Sequence, residues 1–516
     1  MWNLMEVSIP SFLEELVLVN VPKLEKCVGT YGLDLTSNLR VLMVKDCPQL
    51  SEFTLFDSNY FHVEQKSCFL SLEELTIGHC HHIIVWKILL LEEMRALKEL
   101  ELIDVPVIEE LSVPSLEKLV LIQLPSLQIC NGITAKLRKL TIHDCPSLTV
   151  PLPLILSCPR ISDLSIKGLS AFPTMEIITG GVFNITSKEL IELDVRIVPF
   201  HNLKTIRNLH LNCCPKLTCI SSEGFSQLIA LKFLDIRCCP NLVQPYVMSE
   251  HVDESSRHNL VLPSLRCISI RSCGIAGRWL TQMLTHLQSL ESLYLCDCPQ
   301  IRFLSINQPT QPETTSARDE HLLNIPCNVI RSLKRLGIQE CPDLEFSRVN
   351  GGFRGCTSLV MLQIHGCPKL VSSSVTETND NLLLPTSLQD LWISPLPENL
   401  QSYFHKGLAC LKNLKSLQLH HPQLGVLEGV QHLSALRSLD IKMNNRKLQE
   451  QGQGSNHTLL FPLTLEELSI KYLQDSDVHS RLLCLPSLTR LELGHSPDLK
   501  SLQLGYCTSL QVACFY

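Results

Sequence analysis

Leu137-Arg138-Lys139-Leu140-Thr141-Ile142-His143-Asp144-Cys145-Pro146-Ser147-Leu148 holds the architecture of the chain in miniature. Leu140 and Ile142 stand two apart, the period of a strand with one buried face. Lys139, Thr141 and His143 alternate with them and point the other way. Pro146 lacks an N–H and fixes its own φ, so it ends strand pairing and starts a turn. Leu137 and Leu148 bracket the strand and point into the same core.

The phrase L-x-x-L-x-[LIV]-x-x-C-P-x-L returns as Leu39-Leu42-Val44-Cys47-Pro48-Leu50, as Leu231-Leu234-Ile236-Cys239-Pro240-Leu242 and as Leu359-Leu362-Ile364-Cys367-Pro368-Leu370. Similar lines start at Leu13, Leu72, Leu97, Leu116, Ile206, Leu265, Leu290, Leu333, Leu388, Leu414, Leu436, Leu465 and Leu488, and weaker ones at Ile161, Leu190 and near Leu499. There are about twenty lines at a mean spacing of roughly 26 residues, inside the ~20–29 of leucine-rich repeats. The expected fold is an α/β solenoid, a leucine-rich-repeat horseshoe. A parallel sheet lines its concave face, and irregular turns or short helices its convex face. The expected organisation is one continuous array over 1–516.

Size and composition agree. The chain has 516 residues, well beyond the ~250–300 at which a single compact core stops growing. Hydrophobic residues make up 45 % but aromatic ones only 5 %, which suits thin layers filled by branched aliphatics. The net charge of −7 provides no basic field for a phosphate backbone, so nucleic acid is not an expected partner.

The longest apolar run, Ile83 to Leu91, contains Lys87 and is far short of a membrane span. The opening residues lack the basic and apolar regions of a secretion signal. The expected location is the cytoplasm, with the nucleus as a second compartment. Repeat lines reach both ends without a polar cap, which suggests a piece of a longer protein.

The 24 cysteines mostly follow the repeat, one per line at one offset. They read as reduced, buried fillers with a weak S–H donor. Cys213-Cys214, Cys238-Cys239 and the trio His79, His81 and His82 lack metal-site spacing, so no metal is expected. Phosphate-loop, dinucleotide, zinc-protease, nucleophile-elbow and kinase patterns are absent. The reading is a binder without cofactor or catalytic residues.

Return segments vary. Leu217, Ile220, Phe225 and Leu228 suit irregular turns, and Leu280, Met283, Leu284 and Leu287 suit a helix over Arg278 to Leu290. Polar stretches near 250–259, 308–320, 372–381 and 444–457 read as loop insertions.

The residues between and beside the inward aliphatics form a column on the concave side. In order they are Glu99, Glu101, Lys118, Lys139, His143, His210, Asp235, Arg237, Tyr294, Arg335, Gln339, Gln363, His365, Trp392, Gln418, His420, Asp440, Lys442, Lys471, Tyr472, Arg490 and Glu492. They vary while the leucines do not, as on a fixed scaffold with a changeable surface. Tyr294, Trp392 and Tyr472 are the leading contact candidates, because aromatic rings anchor protein interfaces.

The Cys-Pro phrase occurs with Ser71-Leu72-Glu73-Glu74-Leu75 and with openings at Pro114 to Leu119, Pro263 to Leu265 and Pro486 to Leu491. With these the chain resembles, over essentially its whole length, the repeat region of plant nucleotide-binding leucine-rich-repeat (NB-LRR) disease-resistance proteins, cereal coiled-coil type. The resemblance implies recognition of a pathogen effector or a guarded host protein. It also implies restraint of a nucleotide-binding switch, a population shift between two states. That switch binds ADP or ATP in a separate domain, of which this sequence shows no phosphate loop. Cysteine-bearing repeats also occur in F-box ubiquitin-ligase adaptors, but no F-box segment precedes Leu13. An extracellular ectodomain would carry a secretion signal and a G-x-I-P phrase, and neither is found.

Overall fold

The computed structural model describes residues 5–9, 13–29, 38–53, 71–80, 91, 94–105, 108–133, 136–149, 161–169, 174–178, 181–193, 198, 203–220, 225–242, 262–306, 320–347, 352–373, 384–396, 404, 407–422, 424–443, 461–472, 485–494 and 507–515. The chain divides into two compact units, Met1–Leu231 and Lys232–Tyr516.

Each unit is a stack of leucine-rich repeats. In the first, strands β1 (Glu15–Val19), β2 (Val41–Lys45), β3 (Glu74–Gly78), β4 (Glu99–Ile103), β5 (Lys118–Ile122), β6 (Lys139–His143) and β7 (Asp163–Lys167) pair in parallel, residue for residue. The sheet then departs from the expected all-parallel order. Strand β8 (Thr174–Ile178) runs antiparallel between β7 and β9 (Val182–Thr186). Parallel pairing resumes from β9 to β10 (Asn208–Asn212).

The second unit pairs in parallel throughout its described face. Its strands are β11 (Phe233–Cys239), β12 (Cys267–Cys273), β13 (Ser292–Cys296), β14 (Arg335–Gln339), β15 (Met361–His365), β16 (Asp390–Ser394), β17 (Ser416–His420), β18 (Ser438–Lys442), β19 (Glu467–Lys471), β20 (Arg490–Gly494) and β21 (Val512–Phe515).

Burial follows the two-residue period. Leu140 and Ile142 of β6 are fully buried, while Lys139, Thr141 and His143 are half-exposed. The same alternation marks β2, β4, β17 and β18. The bracketing leucines are buried too, among them Leu137, Leu148, Leu231 and Leu242. No repeat closes this core alone, so stability comes from stacking.

The turn after each strand is more specific than the proline alone suggests. The residue before the cysteine adopts positive φ: 55° at Asp46, 54° at Asp144, 52° at Asp297 and 49° at Glu340, with glycine at 366; Gly168, before Leu169, does the same. Its N–H donates to the strand-end carbonyl of the next repeat, Asp46 to Gly78 at 3.0 Å, Asp144 to Lys167 at 3.0 Å and Asp297 to Gln339 at 2.9 Å. Cysteine, proline, any residue and leucine then form a four-residue turn with proline in the second place. Its closing bond runs from the leucine N–H to the cysteine carbonyl, 3.2 Å for Leu50 to Cys47 and 3.1 Å for Leu148 to Cys145.

The cysteines are structural parts of this turn. The thiol of Cys341 donates to the Gln339 carbonyl at 3.2 Å. That of Cys367 donates to His365 at 3.2 Å and to Ile338 of the preceding repeat at 3.6 Å. Away from this turn, burial pushes the Cys27, Cys130 and Cys356 thiols up to about 12. The described cysteines are free thiols.

Behind the sheet, short parallel strands join the expected turns and helices. Glu6–Ile9 pairs with Lys26–Gly29 and that with Glu52–Phe53, while Glu110–Ser112 pairs with Ile129–Asn131. Phe303–Ile306 lies between Leu322–Ile325 and Glu345–Phe346. The predicted helix forms as α1 (Gly277–Thr285), burying Leu280, Met283 and Leu284. It stops short of Leu290 because His286 and Leu287 bond back three residues and turn into the next repeat. Shorter helices are α2 (Cys327–Ile330), α3 (Pro368–Ser373) and α4 (Leu424–Val430). The insertions near 250–259 and 444–457 lie outside the described residues, as do those near 308–320 and 372–381 apart from Glu320, Ser372 and Ser373.

The left-handed position gives a direct check. Replacing Asp297 by valine should cost about 1–2 kcal/mol in urea unfolding, because a β-branched residue is strained at positive φ. Asp297→Gly should cost less than Asp297→Val, and equal losses would contradict this account.

Candidate protein-binding face

Positions one, three and five of each strand face away from the core, and the in-register pairing lines them up in rows. In the first unit these rows are largely self-neutralised. Lys118 donates to Glu99 at 2.8 Å, and that hydrogen bond raises the lysine above its ordinary value. Lys139 pairs with Asp163 at 3.2 Å. Lys45 reaches across β3 to Glu101 at 2.8 Å. Gly78 stands beside the Lys45 stem, where a Cβ would touch it at 3.4 Å. Lys167 pairs with Glu176 on the antiparallel strand.

His143 contacts the Ser165 hydroxyl at 2.8 Å and is held below the ordinary histidine value, first by burial and then by the charge of Lys167. His210 is half-buried at position three of β10. The remaining outward residues include the aliphatics Val17, Val19, Ile103 and Ile122.

The second unit is different. Asp235 is fully buried with its carboxylate 2.7 Å from Arg237 Nε, so it braces that arginine instead of facing a ligand. Tyr294 is half-buried, and its ring lies over Gly337, where a Cβ would come within 2.6 Å of the ring. Burial raises the tyrosine above its ordinary value. Arg335 is exposed and makes no ion pair among the described residues. Gln339 and Gln363 are half-exposed on the same face.

Next to them the rings of His365, Trp392 and His420 cluster. Centroid separations are 5.9 Å for His365 to Trp392 and 6.4 Å for His420 to each of the other two. Glu340 lies 3.0 Å from His365 Nε2. A carboxylate only accepts, so that nitrogen carries the proton and Nδ1 of the neutral ring is an acceptor. His365 Nδ1 and the Trp392 Nε1 donor are both buried without a hydrogen-bond partner among the described residues. Each such atom costs about 1–3 kcal/mol until something satisfies it. Ser394 Oγ meets His420 Nδ1 at 2.7 Å, and Gln418 donates to Asp440 at 3.0 Å.

Lys442 sits 5.9 Å from the centre of the Tyr472 ring. Tyr472 lies past the end of β19 at a φ of 62°, so it belongs to the turn and not to the strand face. Lys471 is half-exposed at position five of β19. Arg490 is engaged by Glu492 of its own strand at 2.6 Å.

The column therefore gathers Tyr294, Gln363, His365, Trp392, Gln418, His420 and Asp440 in one region of the second unit. The sequence reading missed Gly337, Glu340, Ser394 and Arg271. Arg271 was legible, since it stands two residues after Ser269 in the line that starts at Leu265. Among the described residues no group of three or more histidine, cysteine or acidic side chains is placed to hold a metal, and no helix is long and apolar enough to cross a membrane.

The chain has a leucine-rich-repeat fold. Solved structures similar to it include an internalin of Listeria monocytogenes, with 16 % identity and a TM-score of 0.32 over 64 % of this chain and 86 % of that one. Another is an LRR protein of Leptospira interrogans, with 16 % identity and a TM-score of 0.35 over 86 % and 91 %. A third is the TLR13–ssRNA13 complex, with 17 % identity and a TM-score of 0.30 over 98 % and 75 %. No protein-family model matches the chain, and no curated protein matches it.

Two measurements probe this geometry. Gly337→Ala should displace the Tyr294 ring and cost about 1–3 kcal/mol, as overpacking does. The Tyr294 phenol should then titrate lower in an ultraviolet titration referenced to Tyr294→Phe, and an unchanged titration would mean the ring does not rest there.

His420 and His421 are, like His143, held below the ordinary value chiefly by burial. On acidification through about pH 6.5 the unfolded chain therefore takes up protons before the folded one, and stability falls. His420→Asn should make that fall shallower in urea melts between about pH 7 and pH 5.5; a steeper fall would reverse the assigned sign.

Proposed function

We propose that this chain is a protein-recognition scaffold of plant innate immunity, with its contact centre on the open face of the second unit. In this reading it is the repeat region of an NB-LRR receptor of the cereal coiled-coil type, working in the cytoplasm and nucleus. It senses a pathogen effector or a guarded host protein, and it restrains a nucleotide-binding switch carried elsewhere in the receptor. It binds and does not catalyse. The immune assignment is supported by the Cys-Pro phrase and its Ser-Leu-Glu-Glu-Leu and Pro-Ser-Leu openings.

One observation carries the choice of face. His365, Trp392 and His420 cluster on the sheet, with one donor and one acceptor left unsatisfied among the described residues. Clustered aromatic side chains dominate protein interfaces, and an unmet polar atom is a standing gain for whatever meets it. The lysines of the first unit and Arg490 are already engaged within the chain, which makes them poor probes of binding.

The test is co-precipitation of the full chain with panels of pathogen effectors and host proteins, repeated with Trp392→Ala and with Tyr294→Ala. A true partner should lose about tenfold or more in affinity with Trp392→Ala, a cost usual for an interface anchor. The circular dichroism spectrum should be unchanged. Partners indifferent to both substitutions would remove this face from the account.

A further inference from the structure

Free charge is unevenly spread over the open face of the second unit. Position five of its strands carries basic side chains and no acid: Arg237 and Arg271 at one end, Lys442 and Lys471 at the other, His365 and His420 between. Arg237 is engaged by Asp235. Arg271 at position five of β12 and Arg335 at position one of β14, two strands further on, make no ion pair among the described residues, and neither do the adjacent Lys442 and Lys471. Most other cations on the two faces have an acid partner, so these four stand out, Arg271 and Arg335 on one side of the ring cluster and Lys442 and Lys471 on the other.

The pairs are well separated. From β12 to β18 there are six strand-to-strand steps. At ~4.8 Å per step Arg271 and Lys442 lie about 29 Å apart along the sheet, the reach of roughly nine extended residues. The ground between Arg335 and Lys442 carries no further lysine or arginine on the described strands. Glu340 sits against His365, and Asp440 holds Gln418. Tyr294 and Trp392 supply ring surface there.

We propose that this face receives an extended protein segment with acidic side chains at both ends and an uncharged, largely apolar stretch between them. One acidic end meets Arg271 and Arg335, the other meets Lys442 and Lys471, and the middle lies over Trp392. The inference rests on the protein-binding reading of the same face and adds the chemistry of the partner. A polynucleotide fits less well, because it carries a phosphate at every residue and would set some of them against Glu340 and Asp440. A segment charged only at its ends avoids that repulsion and still gains steering from both cationic pairs.

The test uses the full chain and fluorescent peptides about eleven residues long, matched to that span. One has Glu-Glu at each end with alternating leucine and serine between. Companions have Gln-Gln ends, Lys-Lys ends, or glutamate throughout, and an oligouridine of similar length is a further competitor. The Glu-ended peptide should bind at least about tenfold more tightly than the Gln-ended one and weaken with added salt. Arg271→Glu with Arg335→Glu, or Lys442→Glu with Lys471→Glu, should each abolish most of that advantage. The fourfold variant should prefer the Lys-ended peptide, a swap that a merely misfolded protein could not show.

Equal binding of Glu-ended and Gln-ended peptides, both lost with Trp392→Ala, would overturn the acidic-end inference and leave the protein-binding face standing. Tighter binding of the all-glutamate peptide or of oligouridine would overturn it in favour of a general polyanion surface. Failure of every probe would also overturn it, and the face itself would then be judged by the effect of Trp392→Ala on partners captured by the chain.

Discussion

The bond from the left-handed residue before each cysteine to the strand-end carbonyl of the next repeat sets how neighbouring repeats stack. It extends the ladder one residue past the strand and turns the chain toward the core at a fixed point. Asp46, Asp144 and Asp297 all make it at about the same length. With that corner fixed, the two aliphatics of one strand face the two of the next, and the buried leucines form a continuous core within each unit. The outward residues then have no choice of neighbour. Position three of one strand meets position three of the next, which is why Tyr294 lies beside Gly337 and Gly337 beside Gln363.

The two units use that constraint differently. The first spends its outward charges on cross-strand pairs, and its lysines are tied to Glu99, Glu101, Asp163 and Glu176. Such half-exposed pairs contribute only about 0–1 kcal/mol each, but they leave few charges free for a partner. The second unit leaves several cations unpaired and packs rings where the first has aliphatics. It also tolerates buried polar atoms that nothing among the described residues satisfies. A fold that lost such groups to apolar substitutes would gain stability, so their presence weighs toward use in contact.

Much of this was legible in the sequence because the fold is periodic. The phrase around Leu140 and Ile142 located the strands, their buried faces and the outward column. The helix near Leu280 followed from its spacing. The antiparallel strand Thr174–Ile178 was not legible, because its inward Met175 and Ile177 have the same two-residue period as a parallel strand, and direction leaves no mark on that period. The burial of Asp235 depends on Arg237 reaching back to it. That reach is not written in residue spacing. The place of Tyr472 on the turn was legible, since it stands two after Ile470 as Asp144 stands two after Ile142. The cluster of His365, Trp392 and His420 comes from three different repeats and becomes visible only when the register between them is known.

The antiparallel strand has a consequence for how such a wall grows. Most repeats add one strand to the front and one return segment to the back. The link from Ile178 to Val182 spans at most about 14 Å, too little for a round trip behind the sheet. That hairpin therefore widens the front without thickening the rear, and the space behind it is occupied partly by Phe183 and Met175, both fully buried. Front and back can accordingly change length independently, since one reversed strand adds a row to the front where a full repeat would also have added a return segment behind.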